Sequence, residues 1–195
     1  MFIEPKNNRG WIEVVCGSMF SGKTEELIRR VKRAKIANLK VRIFKPKMET
    51  RYDKVKVVSH DDNYVDSFPV DHSGEILRWI DDVEVIGIDE AQFFDEELPA
   101  VCHQLANMGK RVVIAGLDMD YMAQPFGVMP NLMAMAEYVT KVHAICMQCG
   151  DVAQYSYRFT KSGGQVQLGE KDQYEPRCRS CYIKGMASQQ AGKRR

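Results

Sequence analysis

The chain has 195 residues, 45% of them hydrophobic and 28% charged, with a formal net charge of +2. That is enough for one substantial core and a small satellite domain, and the composition is globular. No run approaches the ~18 apolar residues of a membrane helix, the polar start MFIEPKNNRG lacks a secretory signal's apolar core, and so small a net charge gives no ground for nucleic acid, so the expectation is a cytoplasmic protein with neither membrane nor nucleic-acid partner.

In chain order, the apolar run from Trp11 to Cys16 reads as a strand, followed by Gly17, Ser18, Met19, Phe20, Ser21, Gly22, Lys23 and Thr24, which match G-x-x-x-x-G-K-[ST] at every fixed position. Glycines at those spacings let successive N–H groups curl around anionic oxygens, and a helix beginning there adds its positive end. Lys23 would then reach the β- and γ-phosphates of a nucleotide, and the Thr24 hydroxyl would hold Mg²⁺. Leu27, Ile28, Val31, Ala34 and Ile36 keep helical spacing to about Asn38, and Val41 to Phe44 form a second strand stopped by Pro46. Residues 47–71 are polar, with a strand candidate at 55–58, and read as a loop or lid near the phosphates. A short helix is expected at 75–80 and a buried strand at 83–88 ending in Asp89 and Glu90. A helix over 98–108, a strand over 112–116, a helix over 131–138 and a last core strand over 141–145 follow. Strands alternating with helices predict a mostly parallel, doubly wound α/β sheet with ligands at the strands' carboxyl ends.

Three features fall at those ends: the 17–24 loop, the Asp89–Glu90 pair, and the loop carrying Leu117, Asp118, Met119, Asp120 and Tyr121. Asp89 is the candidate hard-oxygen ligand for Mg²⁺ opposite Thr24. Glu90 is the candidate general base, taking a proton from water or from a substrate hydroxyl. Met19, inside the loop, is placed to meet a second ligand.

From Cys146 the composition changes. Cys146, Cys149, Cys178 and Cys181 form two C-x-x-C pairs, whose spacing suits a closed, structural tetrahedral Zn²⁺ site bracketing a polar excursion over 150–177. Cys16 and Cys102 read as small buried hydrophobes, and the four histidines show no ligand spacing. The domain expectation is a nucleotide-binding unit over 1–145, a zinc-bound lasso over 146–185, and a disordered tail over 186–195. On the residues alone, an ATPase with a zinc ribbon acting on nucleic acid stays open as the alternative.

The sequences G-S-M-F-S-G-K-T, D-E-A-Q-F-F, L-D-M-D-Y with P-F-G, and Y-E-P-R-C before the last cysteine pair together resemble the tetrameric, zinc-containing thymidine kinase family, over about residues 10–182. The resemblance implies a RecA-like α/β domain with a zinc-bound lasso, transferring the γ-phosphoryl of ATP to the 5′-hydroxyl of thymidine. It implies Glu90 as the base. It puts the phosphates on the 17–24 loop together with Asp89, Gln92 and Arg51. The nucleoside contacts it implies are Met19, Phe93, Leu117, Tyr121, Phe126, Arg158 and Tyr174, with the lasso backbone at Gln165, Val166, Gln167, Leu168 and Gly169 reading the pyrimidine edge. Feedback by thymidine triphosphate and a homotetramer are further implications. Glu49 departs from the family pattern, in which Asp is more usual there.

Overall fold

Strand β1 (Trp11–Gly17) is an internal strand of the sheet: nearly every residue in it is buried, as a strand covered on both faces requires. The computed structural model describes residues 9–47, 56–58, 64–159 and 173–191. β1 feeds helix α1 (Lys23–Ile36), and the chain continues through β2 (Val41–Pro46), β3 (Lys56–Val58), β4 (Tyr64–Val70), a 3₁₀ turn (Ser73–Trp79), β5 (Val85–Ile88) and a 3₁₀ turn (Ala91–Phe93). Helix α2 (Leu98–Asn107), β6 (Arg111–Leu117), α3 (Met129–Met135) and β7 (Tyr138–Lys141) complete the large unit. The smaller unit holds β8 (Ala144–Ile145), β9 (Val152–Ala153), β10 (Tyr155–Arg158), β11 (Tyr174–Arg177) and α4 (Arg179–Ala191).

The sheet order is β3-β4-β2-β5-β6-β1-β7. Every pair in it is parallel except β3 with β4. Because side chains alternate across a strand, each face collects its own apolar set. Ile43, Val85, Val113 and Ala115 meet Leu27, Ile28, Val31 and Ala34 of α1. Ile12, Val14, Ile86, Ile88, Val112 and Ile114 meet α2 and α3 on the other face. Burying each of those branched aliphatic side chains contributes on the order of 1.5–3 kcal/mol. Cys16 and Cys102 are both buried, as expected of small hydrophobes. Among the described residues no helix is long and apolar enough to cross a membrane.

Several elements differ from the sequence-based expectation. Residues 64–70 form a full sheet strand, where a loop or lid was expected, because β2 still has an open edge and Phe68 meets Phe44 there, the rings tilted at 46° with centroids 6.1 Å apart. Ile36 is 81% exposed: it falls beyond the last turn that reaches the sheet. The third helix starts two residues early, so that Met129 and Leu132 are the residues it buries. The last core strand is 138–141 rather than 141–145, because residues 144–145 pair with β9 instead. Nor is the stretch 186–191 a disordered tail. It continues α4, held where Gln189 Nε2 donates to Arg158 O at 2.9 Å and Met186 packs on Tyr155, Tyr157 and Tyr182.

One strand residue breaks the apolar pattern. Glu13 lies on the α1 face of β1, completely buried, and accepts from Arg30 Nη1 at 2.7 Å and Arg111 Nε at 2.7 Å, with Trp11 Nε1 at 2.6 Å. Arg30 also meets Glu26 and donates to Thr140 Oγ1, so the network ties β1, α1, β6 and β7 together. Glu13→Ala leaves buried guanidinium groups without their shared anion and should cost about 3–5 kcal/mol. Urea unfolding checks this; a loss below about 1 kcal/mol, the range of exposed pairs, would contradict it.

Candidate functional site

The site begins where β1 ends. Gly17 sits at φ +149°, and a Cβ there would lie 2.2 Å from Val142 O, so the close approach of the β7 exit demands glycine. The turn continues through Phe20 at φ +61° and Gly22 at φ +84°. Ser21 Oγ and Lys23 Nζ each donate to Ser18 O at 2.7 Å, which ties the two sides of the loop together. Helix α1 starts at Lys23 with no side-chain cap on its N-terminus, leaving first-turn N–H groups to face an anion. The Met19 N–H donates to Ser156 Oγ at 3.0 Å, so the loop's apex is held by β10 of the smaller unit.

The acidic pair follows β5, two strands from β1. Asp89 is buried, and Thr24 Oγ1 lies 3.5 Å from its Oδ2. Burial, helped by the neighbouring Glu90 charge, pushes the Asp89 carboxyl up to about 7. Burial also lowers the Lys23 pKa, opposed by Glu90, Asp89, Asp118 and Glu25. Glu90 is exposed and left-handed at φ +53°, an uncommon conformation that turns the chain sharply out of the strand. Its carboxylate accepts from Gln92 Nε2 at 2.5 Å, and Gln92 Oε1 accepts from the Leu117 N–H at 2.9 Å. Gln92 is thus a buried bridge that orients Glu90 from β6.

Aromatic side chains adjoin the pair. Phe93 and Phe126 meet edge to face at 5.5 Å. Gly127, at φ +49°, lets the 126–128 turn come against Gln92, whose carbonyl oxygen would stand 2.4 Å from a Cβ. The Arg158 guanidinium lies 3.5 Å over the Tyr121 ring, and Tyr182 Oη donates to Tyr121 O at 2.9 Å. Tyr174 is buried on β11. Arg51, Glu49 and the stretch from Gln165 to Gly169 lie outside the described residues.

The structure therefore brings together the 17–24 loop, Asp89, Glu90 and Gln92, and it pairs Phe93 with Phe126 and Tyr121 with Arg158. Ser156 and Tyr182 were missed by motif reading. The one local signal was the alternation Y-S-Y-R, in which a small hydroxyl interrupts aromatic residues on a short strand.

In the smaller unit the sulfurs of Cys146, Cys149, Cys178 and Cys181 all lie within 4.8 Å of one another, and Cys149 Sγ and Cys178 Sγ are 3.7 Å apart. A tetrahedron with Zn–S bonds of about 2.3 Å requires sulfurs about 3.8 Å apart, so the donor set fits zinc. The first pair sits on a tight turn: Cys146 N–H donates to Asp151 O, Gly150 N–H donates to Cys146 O, and Gly150 takes φ +77°. Burial would raise the Cys146 thiol, yet hydrogen bonds from the Cys178, Gln148 and Cys149 backbone bring it down to about 6, favouring a thiolate ligand.

A parallel sheet whose first strand delivers a G-x-x-x-x-G-K-T loop onto a helix, with an acidic pair beside it and a lobe carrying four clustered cysteines, defines an α/β phosphotransferase fold. A family model described as Thymidine kinase matches residues 10–182. The chain is 58% identical over 182 residues to the thymidine kinase of Bacteroides thetaiotaomicron, covering 93% of this chain and 92% of that one. It is 60% identical over 173 residues to that of a Rhodothermus species, covering 89% and 81%, and 61% identical over 176 residues to that of Porphyromonas gingivalis, covering 90% and 86%. The chain belongs to the thymidine kinase family.

Elemental analysis of the purified protein should give about one zinc per chain. Cys178→Ser should abolish that zinc and lower the melting temperature, since metal binding and folding of so small a unit are coupled. A metal-free wild-type protein of full stability would overturn the assignment.

Proposed function

We propose that this chain transfers the γ-phosphoryl of ATP to the 5′-hydroxyl of thymidine, with Glu90 as the general base. The observation that carries the reading is the placement of the Glu90 carboxylate. It is exposed and oriented by Gln92, next in the chain to the buried Asp89 that meets Thr24 and three residues before Phe93, which packs on Phe126.

The 17–24 loop amides and the α1 N-terminus receive the triphosphate. Lys23 leaves Ser18 O and moves its ammonium onto the β- and γ-oxygens. Thr24 and Asp89 are the residues that would hold Mg²⁺, which when bound supplies charge neutralisation to the transferring group. Phe93, Phe126, Leu117, Tyr121 and Tyr174 enclose the base, and Met19 contributes from the loop's apex. Arg158 acts on this crevice through its stack on Tyr121. Glu90 then accepts the 5′-hydroxyl proton as that oxygen approaches the γ-phosphorus. Positioning and electrostatics carry most of the rate, and the lasso domain over 146–185, reading the pyrimidine edge through residues 165–169, would exclude competing water. Arg51 belongs to the phosphate set in this reading.

The cysteine quartet holds structural Zn²⁺, the enzyme is cytoplasmic and homotetrameric, and thymidine triphosphate is its feedback ligand; the family pattern supports these four statements. The nucleic-acid ATPase is disfavoured by the family assignment and by the small net charge of +2.

The test follows product formation with ATP, Mg²⁺ and thymidine. Thymidine monophosphate should form, and Glu90→Gln should lower kcat by roughly 10²–10⁴-fold while the KM for ATP stays close to wild type. Retained turnover in that variant removes Glu90 as base. Thymidine-independent hydrolysis stimulated by single-stranded DNA, with no monophosphate produced, would sink the kinase reading.

A further inference from the structure

Asp118 follows β6 at the carboxyl edge of the sheet, and its side chain is only 5% exposed. Neither carboxylate oxygen accepts a well-directed hydrogen bond among the described residues. What it meets is an ion pair: Lys141 Nζ, on a side chain 38% exposed, lies 2.7 Å from Oδ2. A pair with one buried member is a poor stabilising device, because desolvating the carboxylate offsets much of the attraction. A buried polar group so thinly satisfied calls for another explanation.

Its position offers one. Leu117 pairs with Gly17 on one side of β1, and Lys141 pairs with Cys16 on the other. The ion pair therefore crosses the end of β1, directly below the start of the 17–24 loop. The residue after Lys141 reinforces the same point, since Val142 N–H donates to Cys16 O at 2.9 Å and Val142 O occupies the space a side chain on Gly17 would need. On its other side the Asp118 main chain belongs to the aromatic crevice, where its carbonyl accepts from the Phe126 N–H at 3.1 Å. Asp118 also lies near enough to Lys23 for its charge to act on that ammonium. One residue thus touches both halves of the site, the nucleoside crevice through its backbone and the stem of the loop through its side chain.

We propose that the Asp118–Lys141 ion pair is a strap across the stem of the 17–24 loop that fixes the phosphate donor against the nucleoside crevice, making both side chains positioning residues for the transfer. The proposal rests on the reading of the site given under Proposed function. Its expected signature is a loss in the transfer step rather than in substrate binding, because what the strap sets is the alignment of two bound partners.

The experiment is a double-mutant cycle with Lys141→Gln and Asp118→Asn, plus Lys141→Arg, measuring kcat, the KM for thymidine and for ATP, and the melting temperature. Each single variant should lower kcat by about ten- to a hundredfold, the upper end being the scale of a ~1 Å misplacement of oriented reactants, with both KM values within about twofold of wild type. The double variant should be no worse than the poorer single one, since both remove one interaction. Lys141→Arg should recover most of the activity. Losses that multiply in the double variant, a rise in KM with kcat unchanged, or full kcat in Lys141→Gln would each overturn the strap. Lys141 is part-exposed, so its variants keep the test decisive if Asp118→Asn fails to fold. Wild-type turnover in the same assay separates the two readings: without thymidine monophosphate from wild type the proposed function fails, whereas a normal wild type with a multiplicative cycle removes the strap alone.

Discussion

Parallel pairing of β1 with β6 on one side and β7 on the other is the constraint on which the site depends. Parallel strands in register send all their carboxyl ends to one edge, so whatever follows each strand is delivered to the same place. Gly17 sits opposite Leu117, Cys16 opposite Lys141, and Ile88 of β5 opposite Ile114 of β6. A loop that can wrap phosphates, an acidic pair and an aromatic turn thereby meet without any of them being near in sequence. The backbone of β1 cannot shift by one residue without turning Glu13 out of its buried ionic network and Val14 out of the opposite core, so the register is held from both faces.

Charge is handled differently in the frame and at the rim. Deep in the sheet, Glu13 is surrounded by arginines and an indole donor, a fully engaged arrangement that ties four elements together. At the carboxyl edge the buried carboxylates are left with spare acceptor capacity: Asp89 is pushed toward neutrality by burial and by Glu90, and the Asp118 carboxylate, among the described residues, meets the lysine across β1. Glu90, in contrast, is kept exposed and aimed by Gln92. Groups with unused capacity collect where ligand charge would complete them, and groups without it collect where the fold must be rigid.

The smaller unit is more than an appendage. Its hairpin supplies Ser156 to the Met19 N–H, its Arg158 covers Tyr121, and its Tyr182 holds the Tyr121 carbonyl. Stacking of Tyr155 on Tyr182 at 4.6 Å and of the Arg177 guanidinium over Tyr157 at 3.4 Å carries rigidity from the cysteine cluster to that contact. A unit with few aliphatic residues is held by sulfur donors at one end and by aromatic and guanidinium planes at the other.

What the sequence by itself determined is the chemistry that is local in the chain. Residues 17–24, the strand ending in Asp89 and Glu90, and two C-x-x-C pairs each state their role through spacing over a few positions, because a phosphate wrap, a strand-end carboxylate and half a tetrahedron are all built within one turn of chain. The alternation of strands and helices was legible for the same reason, although β4 was not: it lies in a stretch, residues 47–71, that is polar overall, and it is a strand because β2 offers an open edge. The tertiary structure decided everything that depends on which strand lies next to which. That Glu13 would find Arg30 and Arg111, that Gln92 would aim Glu90 from a third strand, that Ser156 would reach a loop 137 residues away, and that Asp118 would close on Lys141 across β1 are facts of sheet order. Sheet order arises from the packing of two whole faces, and no local spacing encodes it.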